Sequence, residues 1–407
     1  MIGADKTAGQ VARRRVFYIP GYDPVPARRY REMYRKEGAA QAEISGYHLT
    51  LSPKQGRGAY GWQVQAEIDG ASVQAEVEML IWADIVRGSM AQGIPATYLQ
   101  LARTAWVYIG SGALFRLMRL RKGPILAALY PIVMLLVQLG LTCLAGLAAG
   151  ALVAKLAPLA VAVLVGLAVV PLGLRWFRAL DGRFLAYYLM HDYAHTAQAR
   201  GALPADLAAR MVVFRQSIAE ALRTEVDEVL VVGHSSGAHL AVGVLADLLR
   251  AGEGPAAGGP VLAFLSLGHV IPMVSFLPAA WKLRDDLAFL STRDDLTWVD
   301  VTAPGDGAAF SLCDPVAVSG VAPGGRRWPL VISAAFTQTL SPERWRALRW
   351  RFFRLHFQYL SAFDRPRDYD YFRITAGPLT LAARYAGRAA SKSRIERPLS
   401  RYTSRAA

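Results

Sequence analysis

The 407-residue chain reads as an α/β fold, a mainly parallel β-sheet with helices on both faces. Three observations predict it. Short apolar runs of strand length alternate with longer stretches of helical spacing, the pattern of βαβ units. One such run, Glu228–Val232, leads through a Gly-x-Ser-x-Gly turn into an apolar-rich stretch from Ala238 to Leu245 that reads as helix. Between Gly123 and Leu174 the only charge is Lys155, so an inserted membrane segment interrupts the α/β unit.

The elements follow in order. Val16–Ile19 is a short strand, and Pro20-Gly21-Tyr22-Asp23-Pro24 is the loop after it. Residues 25–43 are rich in Arg, Glu and Ala and read as helix. Tyr47–Leu51 is a strand. Trp62–Ile68 alternates, turns at Asp69-Gly70 and resumes from Ser72 to Leu80, a hairpin signal. Residues 97–122 have helical character and lead into the apolar segment. Beyond it, residues 176–222 carry helical spacing before the Glu228 strand. Val261–Leu267, Leu296–Val301 and Pro329–Ser333 are three further strands, and Glu253–Pro260 is a loop. There is no internal repeat. This divides the chain into residues 1–122, an inserted hairpin at 123–175, a second α/β part at 176–382 and a basic tail at 383–407.

The inserted segment has two halves, Pro124–Val153 and Leu156–Leu174. Each is long enough to cross about 30 Å of hydrocarbon as a helix. A soluble core helix keeps a polar stripe, and neither half has one. Arg116, Arg119, Arg121 and Lys122 precede the pair, Arg175, Arg178 and Arg183 follow it, and the connecting turn holds one lysine. Positive flanks stay on the cytoplasmic side. The expectation is an integral protein of the cytoplasmic (inner) membrane with two transmembrane helices, and with both termini and the active site cytoplasmic. Residues 1–10 lack the apolar core of a signal peptide, which points the same way.

The turn Gly233-His234-Ser235-Ser236-Gly237 is the most informative motif. A strand, a tight turn with serine at its tip and a helix form a nucleophile elbow, and the glycines relieve close packing on either side. The spacing centres on Ser235 rather than Ser236. A serine hydroxyl needs a base, and the base an orienting acid, in this fold in the order Ser, Asp or Glu, His. Of the seven histidines, His239 lies too close to the turn and His269 precedes any suitable acid, which leaves His356. The acid belongs just past the Leu296–Val301 strand. Asp306, in Pro304-Gly305-Asp306-Gly307, is preferred, Asp314 is its rival, and Asp300 is still inside the strand. An oxyanion requires two N–H donors. Ser236 supplies one and the Pro20–Pro24 loop the other, with Tyr22 preferred over Gly21.

Composition narrows the function further. Hydrophobic residues make up 53% and charged residues 19% of the chain, the latter below the usual share of about 25%. Cys143 and Cys313 suggest neither a disulfide framework nor a Cys-based metal site. His191 and His195 have the i, i+4 spacing of metal ligands, but the third ligand and the catalytic Glu of that motif are missing, so the pair is placed on a polar helix face near the membrane and no metal or cofactor is expected. The net charge of +15 concentrates after residue 337. The tail, rich in Ala, Ser and Arg, is expected to be disordered and to meet anionic lipid rather than nucleic acid, since no nucleic-acid module accompanies it.

Together, Val16–Pro24, the Gly233–Gly237 turn, Asp306 and His356 resemble the α/β-hydrolase superfamily, its lipase and esterase branch in particular. Ile19-Pro20-Gly21-Tyr22-Asp23-Pro24 is similar to the His-Gly-Phe-Asp-Pro type of oxyanion loop, with Pro20 where a histidine often stands. The resemblance covers roughly residues 16–52 and 226–360. Its departures are a short leader before the first strand, a helix-like stretch from Pro342 to Phe353 ahead of His356, and the membrane insertion. The expected function is ester hydrolysis on lipid or lipophilic substrates by a Ser235–His356–Asp306 triad. Acyl transfer by the same residues is the first alternative, and a non-catalytic membrane scaffold or lipid-binding protein the second.

Overall fold

A computed structural model describes residues 9–56 and 58–407. Its centre is an eight-stranded, mostly parallel sheet. The strands are β1 (Arg13–Ile19), β2 (His48–Pro53), β3 (Gly61–Ile68), β4 (Ala71–Met79), β5 (Glu228–His234), β6 (Val261–Leu267), β7 (Thr297–Thr302) and β8 (Leu330–Ser333), in spatial order β2-β3-β4-β1-β5-β6-β7-β8. β2, β3 and β4 form an antiparallel meander, and every pairing from β4 through β1 to β8 is parallel. β5 is buried at every residue, as an apolar strand covered on both faces must be. Cores lie on the two faces of the sheet. One gathers Val16, Val232, Leu265 and Tyr359, the other Phe17, Val231, Phe264 and Leu240.

The helices used below are α1 (Ala27–Ser45), α2 (Ile94–Gly110), α3 (Lys122–Val153), α4 (Leu159–Ala179), α5 (Ala186–Gln198), α6 (Ala205–Ala221), α7 (Gly237–Arg250), α8 (Trp281–Leu290), α9 (Pro315–Val318) and α10 (Phe352–His356). The expected helix from Pro342 to Phe353 ends at Leu348, and the chain resumes helical form only at Phe352.

α3 and α4 are long and apolar enough to cross a membrane. They pack antiparallel through small residues. A Cβ on Gly146 would lie 2.5 Å from the Gly166 carbonyl oxygen, and one on Gly150 3.1 Å from that of Ala162. Such glycine-lined contacts let helix backbones approach where no hydrophobic effect drives them together. Leu144, Leu147, Leu164 and Leu167 point outward, each more than 60% exposed. α3 has 32 residues, about 48 Å at 1.5 Å per residue, which exceeds a bilayer core. Its first turns are accounted for by the protein itself, since Ile125 is buried with Leu117, Leu120 and Phe310.

The tail differs from the disordered segment that its composition suggests. Ile395 N–H donates to Leu312 O (2.7 Å), Asp314 N–H to Ile395 O (2.9 Å) and Leu399 N–H to Val318 O (3.1 Å). Part of its charge is paired, Arg388 with Asp368 and Arg394 with Glu396. Ile395 and Leu399 supply the apolar anchors that hold this strap on the domain.

Candidate active site

The site is built at the carboxyl end of the parallel strands. β5 ends at His234, Ser235 takes a left-handed conformation with φ 56°, and α7 starts at Gly237. A non-glycine residue held there costs on the order of 1 kcal/mol, and the surroundings fix it. Ser235 N–H donates to Leu267 O at the end of β6 (2.9 Å). A Cβ on Gly233 would meet Ala238 Cα at 2.7 Å, and one on Gly237 would run into the carbonyl oxygens of Ile19 and Pro20. The two glycines thus perform different tasks. Gly233 closes the turn on its own helix, and Gly237 admits the end of β1. Ser235 stays partly exposed, whereas Ser236 is buried.

His356 ends α10 and stands beside this turn. The ring of His234 lies 4.8 Å from that of His356, and His234 Nε2–H donates to the His356 carbonyl oxygen (3.0 Å). A Cβ on Gly268, next to Leu267, would come within 3.2 Å of His356 Cε1. Burial and the nearby His356 push His234 down to about 3, so it is neutral and acts as a strut.

The structure brings Asp306 to the histidine. His356 Nδ1–H donates to Asp306 Oδ2 (2.7 Å), Tyr359 O–H donates to the same oxygen (3.1 Å), and Ala308 N–H donates to Oδ1 (2.9 Å). Burial opposes the charge on Asp306, but the facing imidazole and these hydrogen bonds outweigh it and hold the carboxyl below its usual range. Burial likewise opposes charge on His356, while Asp306, and more weakly Asp192, raise the imidazole above its usual value. With Nδ1 donating to a carboxylate, the neutral ring leaves Nε2 as the acceptor.

Asp314 goes elsewhere. Its Oδ1 accepts from Val316 and Ala317 N–H (both 3.0 Å), capping α9, and its Oδ2 pairs with Arg326 (2.7 Å). Asp300 is buried inside β7, accepts from Ser266 Oγ (2.5 Å) and is pushed up to about 8 by burial.

The loop after β1 lies directly against the serine. A Cβ on Gly21 would be 2.9 Å from Ser235 Cβ and 3.4 Å from its Oγ. Trp82 Nε1–H donates to Pro20 O (2.9 Å), Tyr188 O–H donates to Tyr22 O (2.6 Å), and the Asp23 carboxylate accepts from Val25 N–H and Tyr30 O–H. Among the described residues, neither Tyr22 N–H nor Ser236 N–H has a protein acceptor. Unpaired N–H groups beside a serine are what a developing oxyanion requires.

The apolar hairpin touches this site. A Cβ on Gly123, in the first turn of α3, would lie 3.0 Å from Gly307 O, one residue past Asp306, and Arg121 Nε–H donates to Ser311 O (2.8 Å). α5, which follows the hairpin, carries Asp192, whose carboxyl burial pushes up to about 7 and whose charge is felt at His356. A cavity of about 360 Å³ reaches Tyr22 and Ser236 from the α5 side.

The histidines set aside in the sequence are accounted for. His191 is buried with Nδ1 against Gln100 Oε1 (2.8 Å), so it does not lie on a polar surface face, and His195 packs on Tyr22 and Trp82. His269 Nε2–H donates to Cys313 O (3.1 Å). His234, Tyr359 and Asp192 were missed by sequence reasoning. Tyr359 had a usable signal, one helical turn after His356. His234 and Asp192 had none beyond adjacency to residues already singled out. Compared with known proteins, the chain matches no family model, no curated protein and no solved structure.

Proposed function

We propose that this chain is a membrane-anchored serine hydrolase of α/β-hydrolase type, cleaving carboxylic esters of lipid or lipophilic substrates. The observation that carries the reading is the meeting of a strained serine turn with a histidine whose Nδ1 is held by a buried carboxylate. His356 Nε2 takes the proton from Ser235 Oγ as the oxygen attacks the ester carbonyl. Tyr22 and Ser236 N–H groups hold the resulting oxyanion. His356 then gives the proton to the leaving alkoxide, and the C–O bond breaks to leave an acyl-Ser235. Water, deprotonated by the same nitrogen, attacks this ester, and the proton returns to Ser235 as the acid departs.

Location supports the substrate class. The apolar, outward-facing surfaces of α3 and α4 need hydrocarbon around them. The basic residues before α3 and after α4 keep both ends of the hairpin on the cytoplasmic side, and the Gly123–Gly307 contact puts the acid loop at the start of the first span. Phe352, against Gly307, and the neighbouring Trp350 are exposed, with Arg349, Arg351 and Arg354 between and around them. Aromatic and basic side chains of this kind suit a lipid headgroup layer.

The test is covalent labelling by a fluorophosphonate probe in native membranes. Wild-type protein is expected to label and Ser235→Ala not to. Absence of labelling in the wild type would leave a non-catalytic scaffold as the better reading. Product analysis with a lipid ester, in the presence and absence of an alcohol acceptor, separates hydrolysis from acyl transfer.

A further inference from the structure

The cavity beside the oxyanion loop has polar groups with no protein partner. It is walled by α5, α6, α7 and α8, and its lining is mostly apolar, with Leu207, Leu240 and Trp281 among the contributors. Two imidazoles interrupt that wall. Both ring nitrogens of His195 and Nδ1 of His239 are buried without a hydrogen-bond partner. Leaving such groups unpaired costs on the order of 1–3 kcal/mol each, so in a native structure a bound water or a ligand completes the bonding. Burial lowers both imidazoles, His239 to about 3, so each is neutral and presents one donor and one acceptor. The cavity's remaining charges cannot serve an anion. Lys282 is held by Asp247 (2.8 Å) and Asp286 (2.9 Å), and Arg250 also bonds Asp286. Asp192, also in the lining, adds an acceptor and disfavours negative charge. At about 360 Å³ the space is at the small end of ligand pockets, which run to about 1,000 Å³.

We propose that this cavity seats a neutral, hydroxyl-bearing group hydrogen-bonded by His195 and His239. Resting on the hydrolase reading, that group is the alcohol or a hydroxylated acyl part of the ester, while the remaining chain stays toward the membrane. A hydroxyl both donates and accepts, which matches a pair of neutral imidazoles. A phosphate would need an unpaired cation, and Lys282 is already held by Asp247 and Asp286.

The experiment measures binding without turnover, on full-length Ser235→Ala protein in nanodiscs, by saturation-transfer NMR titration. The probes are 1-O-butylglycerol, 1-methoxybutane and butyl phosphate. The glycerol ether is expected to bind roughly ten-fold more tightly than the methyl ether, with the strongest transfer to its glycerol protons, and butyl phosphate more weakly than the glycerol ether. His239→Phe should weaken the glycerol ether roughly three- to ten-fold, the worth of one hydrogen bond. His239→Gln, which keeps a hydrogen-bonding group, should recover most of that loss. An unchanged thermal midpoint in each variant separates lost binding from lost folding, and His195→Phe serves if His239→Phe does not fold. Equal binding of both neutral ethers, or tightest binding of butyl phosphate, would overturn the proposal in favour of an apolar acyl slot or an anion site. Glycerol-ether binding in a protein whose wild type resists fluorophosphonate would uphold the cavity while removing the hydrolase reading.

Discussion

Replacing Asp306 by Asn tests the triad at its least substitutable atom. The carboxylate has three protein donors, His356 Nδ1–H and Tyr359 O–H on one oxygen and Ala308 N–H on the other. An amide keeps one oxygen and turns the other into a donor. If the oxygen stays on Ala308 N–H, the NH₂ faces His356 Nδ1, which must then accept, and the ring proton moves to Nε2. That nitrogen can no longer take the proton from Ser235. If the amide flips, NH₂ opposes Ala308 N–H and a buried donor is left unpaired, at about 1–3 kcal/mol. The first arrangement displaces the Tyr359 O–H donor instead. A hydroxyl can rotate and accept from the NH₂, whereas a backbone N–H cannot, so this arrangement is favoured and the nucleophile is disabled. A tautomer error of this kind lowers the rate by roughly 10³–10⁴, equal to about 4–5.5 kcal/mol of barrier. The assay is the second-order rate of fluorophosphonate labelling at pH 8 in nanodiscs, alongside thermal unfolding. Asp314→Ala is the control. It removes the cap on α9 and the bond to Arg326, which should cost about 1 kcal/mol of stability while labelling stays within about three-fold of wild type. Labelling of Asp306→Asn above a tenth of the wild-type rate, or a collapse confined to Asp314→Ala, would refute the assignment.

Three further outcomes follow from the same geometry. His356 must be neutral to act as a base, and Asp306 and Asp192 hold its imidazole above 6.5; labelling should therefore fall as pH drops through a midpoint above 6.5, and Asp192→Asn should move that midpoint down, whereas a flat profile from pH 5 to 9 would contradict the role. Gly237→Ala drives a methyl into the Ile19 and Pro20 carbonyls and should destabilise the fold by about 1–3 kcal/mol or more, read as a lowered thermal midpoint, while Gly182→Ala, with open space around it, should not. Gly123→Val pushes on Gly307; a misplaced acid loop should slow labelling on the order of 10–100-fold, and an unchanged rate would show that the hairpin is only an anchor.

The strands were legible because each is a local pattern. Val261–Leu267 and the Trp62–Ile68 alternation need no partner to be recognised, and both fall at the expected positions. The apolar segment was legible for the same reason. Asp306 was reachable because position after β7 narrows the choice to a few carboxylates. His234 was not, since its bond to the His356 carbonyl joins residues 122 apart and spacing carries no trace of it. Asp192 was hidden likewise, its significance arising only when α5 folds back over the serine turn. The tail misled through composition. A segment rich in Ala, Ser and Arg buries little, yet two apolar side chains and a few backbone bonds suffice to lay it along the domain.

The place of the insertion in the sheet explains why the apolar hairpin and the serine turn lie together. β4 and β5 are the neighbours of β1, and both run parallel to it. The chain therefore leaves β4 at the end of the sheet where β1 opens into the Gly21–Tyr22 loop and β5 into Ser235. Everything between Met79 and Glu228 must depart from that end and return to the opposite end to start β5. Trp82 is the first consequence, bonding Pro20 O as soon as the chain exits. α5 is the second, reaching back from the hairpin to fix Tyr22 O through Tyr188 and to line the cavity with Asp192 and His195. An insertion at the β6–β7 connection would also leave from that end, but beyond β5 and away from the Gly21–Tyr22 loop. Between β4 and β5 it brackets both Ser235 and the Gly21–Tyr22 loop, so the meeting of the apolar hairpin with the serine turn is a property of strand order before it is one of any side chain.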